Sequence, residues 1–179
     1  MNRYHLVQEW GEFEHVYPMI RKRHPLCVLE VGCYQAGWIY AIAPACQKGS
    51  TRFSVDNDGR ESLETSRADV QKRLREEHKR FRWHIGDSRD ESTLDAVRAA
   101  MLLIDILHLD GDHEYAACAK DFENFAPMVR PNGLIIFHDI QGEPGVQRLW
   151  NETREKYHKR QQWIAAREHP VMGTGVLIV

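Results

Sequence analysis

Five short apolar runs in this chain each end in residues able to do polar chemistry. Cys27-Val28-Leu29-Glu30-Val31 closes on Gly32, Phe53-Ser54-Val55 on Asp56, and Phe81 to Ile85 on Gly86-Asp87-Ser88. Ile104 to Leu109 closes on Asp110-Gly111-Asp112-His113, and Leu134-Ile135-Ile136-Phe137 on His138-Asp139. Asp110 and Asp139 are hard oxygen donors. On neighbouring strands their ends lie roughly 5 Å apart, close enough to share one cation, with waters and substrate completing the shell. Such an ion lowers the pKa of a bound hydroxyl. His113 and His138 are candidate proton acceptors, because an imidazole titrates near neutral pH. Asp56, placed 24 residues beyond Gly32, suits a ribose, whose two hydroxyls one carboxylate can accept. Asp87 suits an exocyclic amine. Each of these aspartates also has a plain structural reading as a turn or helix-capping residue, and it is their recurrence at successive run ends that carries weight.

The first of these ends is also the most informative about ligand charge. Gly32 lets the chain turn sharply, and Gly37 lets the following helix pack closely or the backbone approach a ligand. A dinucleotide fingerprint places glycine where Tyr34 stands, which disfavours a nicotinamide oxidoreductase. Glu30 beside the loop repels phosphate and suits a ligand bearing an amino group.

The elements that must position these residues follow from the alternation of short apolar runs with longer amphipathic stretches. Helices are expected over Gln35 to Gln47, Glu61 to Arg80, Glu91 to Met101 and about Val146 to Lys159. Tyr115, Ala119, Phe122, Ala126 and Val129 mark one helical face, Pro131-Asn132-Gly133 punctuates, and further strands fall at Trp163 to Ala166 and Gly175 to Val179. Alternation of this kind predicts a parallel sheet with helices on both faces, and continuous rather than alternating apolarity agrees with strands buried on both sides. In such sheets ligands sit beyond the carboxyl ends of the strands.

Composition bounds the rest. The 179 residues, 42% hydrophobic and 28% charged, are expected to form one domain, a helical segment over 1–25 followed by a core over 26–179. A formal charge of -2 argues against bulk phosphate neutralisation and so against a nucleic-acid partner. Cys27, Cys33, Cys46 and Cys118 show no C-x-x-C pair and read as reduced. Neither a signal peptide nor a membrane span is apparent, so the expected location is cytoplasmic. The charged stretch from Arg60 to Arg82 reads as a solvated face, and Trp150 and Trp163 as core or dimer-contact aromatics.

Taken together, Val28-Leu29-Glu30-Val31-Gly32-Cys33-Tyr34, Gly86-Asp87-Ser88, Leu109-Asp110-Gly111-Asp112-His113-Glu114-Tyr115, Lys120-Asp121-Phe122 and Pro131 to Asp139 resemble class I S-adenosylmethionine-dependent methyltransferases. The branch most similar contains the macrolide sugar O-methyltransferases and cephalosporin-hydroxylase-like proteins. The resemblance implies a Rossmann-like α/β fold of about seven strands, mostly parallel, with an antiparallel last strand. It also implies that Glu30, Gly32, Tyr34 and Gly37 line the methionine side of the cofactor, that Asp56 holds the ribose, and that Asp87 and Ser88 face the adenine. Asp110 would stand near the transferring methyl and, with Asp139, bind magnesium or manganese. His138 stands where metal-using relatives carry a carboxylate. As a third ligand it would favour a softer ion than magnesium.

The expected reaction is methylation of a small hydroxylated acceptor, with Asp110, His113 and His138 as the catalytic set. Trp10, Phe13, Tyr17 and the loop from Gln141 to Gly145 are expected to shape the acceptor pocket. A catalytically silent cofactor-binding or partner-binding module on the same fold is the alternative, and a homo-oligomer that completes the site is left open.

Overall fold

The computed structural model describes residues 10–157, 159–163 and 172–179. The strands are β1 (Cys27–Val31), β2 (Thr51–Asp56), β3 (Arg80–Ile85), β4 (Ile104–Leu109), β5 (Val129–Phe137), β6 (Lys159–Trp163) and β7 (Thr174–Ile178). The helices are α1 (Trp10–Arg23), α2 (Gly37–Ala41), α3 (Glu61–Glu76), α4 (Glu91–Ala100), α5 (Tyr115–Phe125) and α6 (Pro144–Arg154). They form one sheet in the order β3-β2-β1-β4-β5-β7-β6. The first five strands run parallel, and β7 is antiparallel to both β5 and β6. This is the Rossmann-like sheet expected from the alternation. The strand order reverses between β1 and β4, and a crevice opens at such a switch point.

Successive residues of each central strand feed opposite cores. Val28, Ile106, Leu134, Ile136 and Val176 pack against α1, α2 and α3, whereas Leu29, Val31, Phe53, Leu107, Ile135 and Phe137 pack against α4, α5 and α6. All six residues of β4 are buried. At about 1.5–3 kcal/mol for each fully buried large aliphatic or aromatic side chain, these two layers fix the strand ends rigidly.

Several boundaries differ from the periodicity. The helix expected over Gln35 to Gln47 is only α2, followed by a 3-10 turn at Ala43–Ala45. Pro44 sits in that turn; it lacks an N–H, and its ring would clash with the carbonyl four residues back, so the α-helix cannot continue. Helix α6 begins earlier than expected, with Pro144 in its first turn, where its missing N–H costs nothing. Strand β5 runs through Pro131-Asn132-Gly133 rather than starting after them, with a register shift against β4 between Ile104 and Ile106 and Asn132 left-handed at φ 66°. The stripe that α5 buries fully is Ala117, Cys118, Asp121 and Phe125, offset from the expected face, so Asp121 lies inside. The expected strand at Trp163 to Ala166 coincides with β6 only at Trp163, and its remainder falls outside the described residues.

Helix α1 buries Phe13, Val16 and Ile20 in the second core. It also carries a fully buried carboxylate, Glu12. Glu12 Oε1 accepts the Gly173 N–H at 2.9 Å and Oε2 accepts the Thr174 hydroxyl at 2.7 Å. The Gly173 and Met172 carbonyls in turn accept the N–H groups of Ile140 and Gln141, at 3.1 and 2.9 Å. The first helix therefore reaches the segment that follows β5.

Candidate functional site

A cavity of about 510 Å³ opens at the carboxyl ends of β1 to β5. Its floor is the turn after β1. Gly32 is left-handed at φ 82°, and so are Tyr34 at 44° and Ala36 at 61°. A Cβ on Gly32 would lie 2.0 Å from the Asp110 carbonyl oxygen, so the position admits only glycine. Left-handed non-glycine residues cost on the order of 1 kcal/mol or more each and persist only where their surroundings hold them. Here Asp56 does the holding. Its Oδ2 accepts the Cys33 and Tyr34 N–H groups at 2.9 and 2.8 Å, and its Oδ1 accepts that of Asp58 at 2.8 Å. Behind it the fully buried Arg67 of α3 stands 3.0 Å from Asp56 Oδ2 and donates to the carbonyls of Tyr34 and Asp58, both at 2.8 Å. Charge-assisted bonds of this kind lock both loops.

Asp87 and Ser88, after β3, line the same cavity. Arg89 chelates Asp87 through Nε and Nη2, and this bonding holds the Asp87 pKa down to about 2. Asp121 lies beneath this loop, 3% exposed, with one carboxylate oxygen lacking a partner among the described residues. Burial pushes its pKa up to about 6 against a hydrogen bond from Ser88.

On the other side of the switch point, β4 and β5 bring together Asp110, His113, His138 and Asp139. His138 is 1% exposed, and its Nδ1 lies 3.1 Å from both Asp110 Oδ1 and Asp139 Oδ2. Burial opposes its charge, but the two carboxylates outweigh burial and raise its pKa to about 10. An imidazole held in this way donates a proton instead of accepting one. His113 is 38% exposed, with Nε2 3.2 Å from Asp139 Oδ2 and Nδ1 3.5 Å from a Glu143 oxygen. Its pKa is raised first by the bond to Asp139. Asp139, itself left-handed at φ 59°, is held well below the usual carboxylate range. Burial works against its charge, but the bonds from His113 and His138 prevail. Asp110, His113 and Asp139 offer donor atoms that all lie within 4.8 Å of one another.

Gly32, Tyr34, Asp56, Asp87, Ser88, Asp110, His113, His138 and Asp139 thus share one cavity. Glu30 and Gly37 do not line it. Glu30 is 1% exposed beneath the floor, where it accepts the Ser54 hydroxyl at 2.8 Å and lies 3.5 Å from His108 Nδ1. Burial raises its pKa. Gly37 begins α2 inside the protein. Trp10, Phe13 and Tyr17 lie along α1 away from the lining, and Gly145 packs against the His113 carbonyl, where a Cβ would fall 2.2 Å from the oxygen. Arg67, Arg89 and Met172 were not foreseen, whereas Glu143 belongs to the Gln141 to Gly145 loop expected at the acceptor side and lies 3.5 Å from His113 Nδ1. For Arg67 the signal was present: it occupies the buried stripe Leu63, Arg67, Val70, Leu74 of α3, so the charged stretch is not solvated throughout. Trp150 is a core residue, 2% exposed, while the side chain of Trp163 falls outside the described residues.

A parallel sheet with this reversal, a strained glycine turn after β1 and acidic residues at each following strand end defines the architecture of class I methyltransferases. The profile of a family described as a methyltransferase domain matches residues 29–140, and the chain belongs to that family. Over 52 residues it is 38% identical to an uncharacterized protein, y4gI, of Sinorhizobium fredii, a stretch covering 27% of this chain and only 6% of that protein. Among solved structures it is similar to the O-methyltransferase TomG of Streptomyces achromogenes, determined with SAM, at a TM-score of 0.72 and 15% identity over 92% of this chain and 78% of that one. It is also similar to an O-methyltransferase of Bacillus cereus in complex with SAH, at 0.69 and 14% over 93% and 80%. At such identities the likeness establishes the fold. No helix among the described residues is long and apolar enough to cross a membrane.

Proposed function

We propose that this methyltransferase uses S-adenosylmethionine to methylate a hydroxyl group of a small molecule. The observation that carries the reading is the division of one cavity into two halves. The Gly32–Tyr34 turn, Asp56, Asp87 and Ser88 form one half, and Asp110, His113 and Asp139 form the other. The cofactor fits the first half on its donor set: the glycine turn, where no Cβ is tolerated, a carboxylate for the ribose and an acceptor for the adenine amine. When bound, it supplies an activated sulfonium methyl. The chain's own contribution is then orientation and handling of the acceptor's proton. His138, donating between Asp110 and Asp139, fixes both carboxylates. His113 is the more exposed imidazole of the pair and stands at the cavity wall between Asp139 and Glu143, where it can exchange a proton with the acceptor. A divalent ion held by the carboxylates would lower the pKa of the acceptor hydroxyl. The four free cysteines, three of them buried, fit a reducing compartment, and we assign the protein to the cytoplasm.

Calorimetric titration of S-adenosylmethionine into metal-free protein, repeated with Asp56→Ala, tests the reading. Micromolar binding that the substitution weakens at least tenfold is the expected result. Absence of binding by the wild-type chain overturns it.

A further inference from the structure

We propose that the edge of the sheet opposite the cavity docks on an anionic phospholipid bilayer, with Leu102 and Leu103 entering the headgroup layer and flanking basic side chains facing the lipid charge. The inference does not depend on the methyltransferase reading.

Topology assembles this edge. The five parallel strands bring their amino ends to one side, and the connections there are tied to one another. Asp105 Oδ2 accepts the N–H groups of Leu26 and Cys27 at 2.7 and 2.8 Å, and Arg130 Nε stands 3.0 Å from its Oδ1. The Leu26 carbonyl accepts the Thr51 N–H at 2.7 Å and the Pro25 carbonyl that of Gln47 at 3.1 Å, which sets the turn bearing Lys48 beside Leu26. Arg23, in the last turn of α1, donates from Nε to the Asn132 carbonyl at 2.8 Å. The basic end of that helix therefore reaches the same edge.

Three features of the edge select a bilayer. First, three of the seven exposed large hydrophobic side chains among the described residues stand here: Leu26, 41% exposed, Leu103, 51%, and Leu102, 82%. Single surface leucines are ordinary, whereas a cluster rimmed by polar residues marks a docking face. Met101 and Ile104, on either side of the leucine pair, are buried in the core, so the pair projects from a fixed base. Projecting leucines suit an interface whose lipids part around them. Second, Arg21, Lys22, Lys48 and Arg75 are exposed around this cluster. Of the carboxylates nearby, Asp105 is engaged as above, Glu77 pairs with Lys79 at 2.8 Å, and Glu76 is outnumbered. Basic side chains so placed are drawn to anionic lipid. Third, the cavity at the other end is lined by six aspartates against Arg89. The net charge of -2 thus belongs to a polarised molecule, which an anionic surface turns amino edge first. Docked in this way, the protein keeps its cavity open to water.

The test is cosedimentation of the full chain with vesicles of phosphatidylcholine alone and of phosphatidylcholine containing about one-third phosphatidylglycerol. Binding to the anionic vesicles should be at least fivefold tighter and should weaken at least threefold between roughly 50 and 300 mM salt. The pairs Leu102→Asp with Leu103→Asp, and Lys22→Glu with Lys48→Glu, should each weaken it at least fivefold. Arg60→Glu with Lys120→Glu makes the same change in net charge away from this edge and should weaken it less than twofold. Retained melting temperature shows that the variants are folded. No binding to anionic vesicles, equal binding to both compositions, or equal losses in the three paired variants overturns the proposal. Sedimentation velocity without lipid supplies a further outcome: a dimer that Leu102→Asp with Leu103→Asp dissociates gives the face to a second copy of the chain and overturns it too.

Discussion

Replacing Asp121 by asparagine should make the protein more stable near neutral pH and leave it nearly unchanged in mild acid. Asp121 is 3% exposed on α5, and one of its oxygens has no partner among the described residues. Burial is the main reason its pKa rises from 3.8 to about 6, with Asp87 and Asp112 adding repulsion and Ser88 and Arg89 relieving part of it. Because the folded state keeps this proton longer than the unfolded chain does, the stability contributed by the group is complete below pH 3.8. It is lost as pH rises through about 6. A difference of roughly two pKa units corresponds to about 3 kcal/mol at 1.36 kcal/mol per unit. Asparagine keeps the shape and an acceptor for Ser88 but has no charge to bury. Urea denaturation of both proteins at pH 4, 5, 6 and 7.5 should show a gap below about 0.5 kcal/mol at pH 4 that opens to about 2–3 kcal/mol at pH 7.5. At 2–4 °C per kcal/mol for a chain of this size, the melting temperature should rise by about 5–10 °C at the higher pH. A gap that does not change with pH, or a variant less stable throughout, would refute the reasoning.

Two further perturbations probe the floor of the cavity. Gly32→Ala places a methyl 2.0 Å from the Asp110 carbonyl at φ 82° and should cost about 3 kcal/mol or more, read as a lowered denaturation midpoint with loss of S-adenosylmethionine binding. Arg67→Met removes the buried partner of Asp56 and should cost about 3–5 kcal/mol. The surviving folded fraction should bind S-adenosylmethionine at least tenfold more weakly, since the Tyr34 and Asp58 carbonyls lose their donor.

The centre of the sheet was legible because β1, β4 and the buried half of β5 are short and predominantly apolar, and because polar residues recur at the strand ends; β6, Lys-Arg-Gln-Gln-Trp, carries no such signal and was expected too late in the chain. That same recurrence brought nine of the eleven expected site residues into one cavity. Glu30 and Gly37 escaped because sequence gives a residue's place in a strand or turn but not how a neighbour claims it. Glu30 is drawn under the floor by Ser54 and His108, its partners across the adjoining strands. His138 posed the opposite problem. Its position beside the carboxylates was apparent, but only the paired 3.1 Å contacts show that its nitrogen is spent orienting them. Arg67 was hidden by composition: one arginine on the buried stripe of a helix rich in arginine is visible only when each residue is assigned a face. Helix α2 was overextended because apolar periodicity runs on through Pro44, whereas the backbone cannot.

The Glu12 clamp bears on how the chain is made. The two donors that Glu12 engages lie 161 and 162 residues further along. At about 5–20 residues per second, the ribosome needs on the order of ten seconds or more to deliver them after α1 has emerged. During that interval the carboxylate lacks the Gly173 and Thr174 donors that satisfy it in the folded protein. Helix α1 therefore gains its final seat late, when β7 slots in beside β5, and the segment bearing Asp139 is braced in the same event. This wall of the site thus waits on the segment 172–174, so that a chain cut short before Gly173 would lack both the donors that hold Glu12 and the carbonyl that holds Ile140.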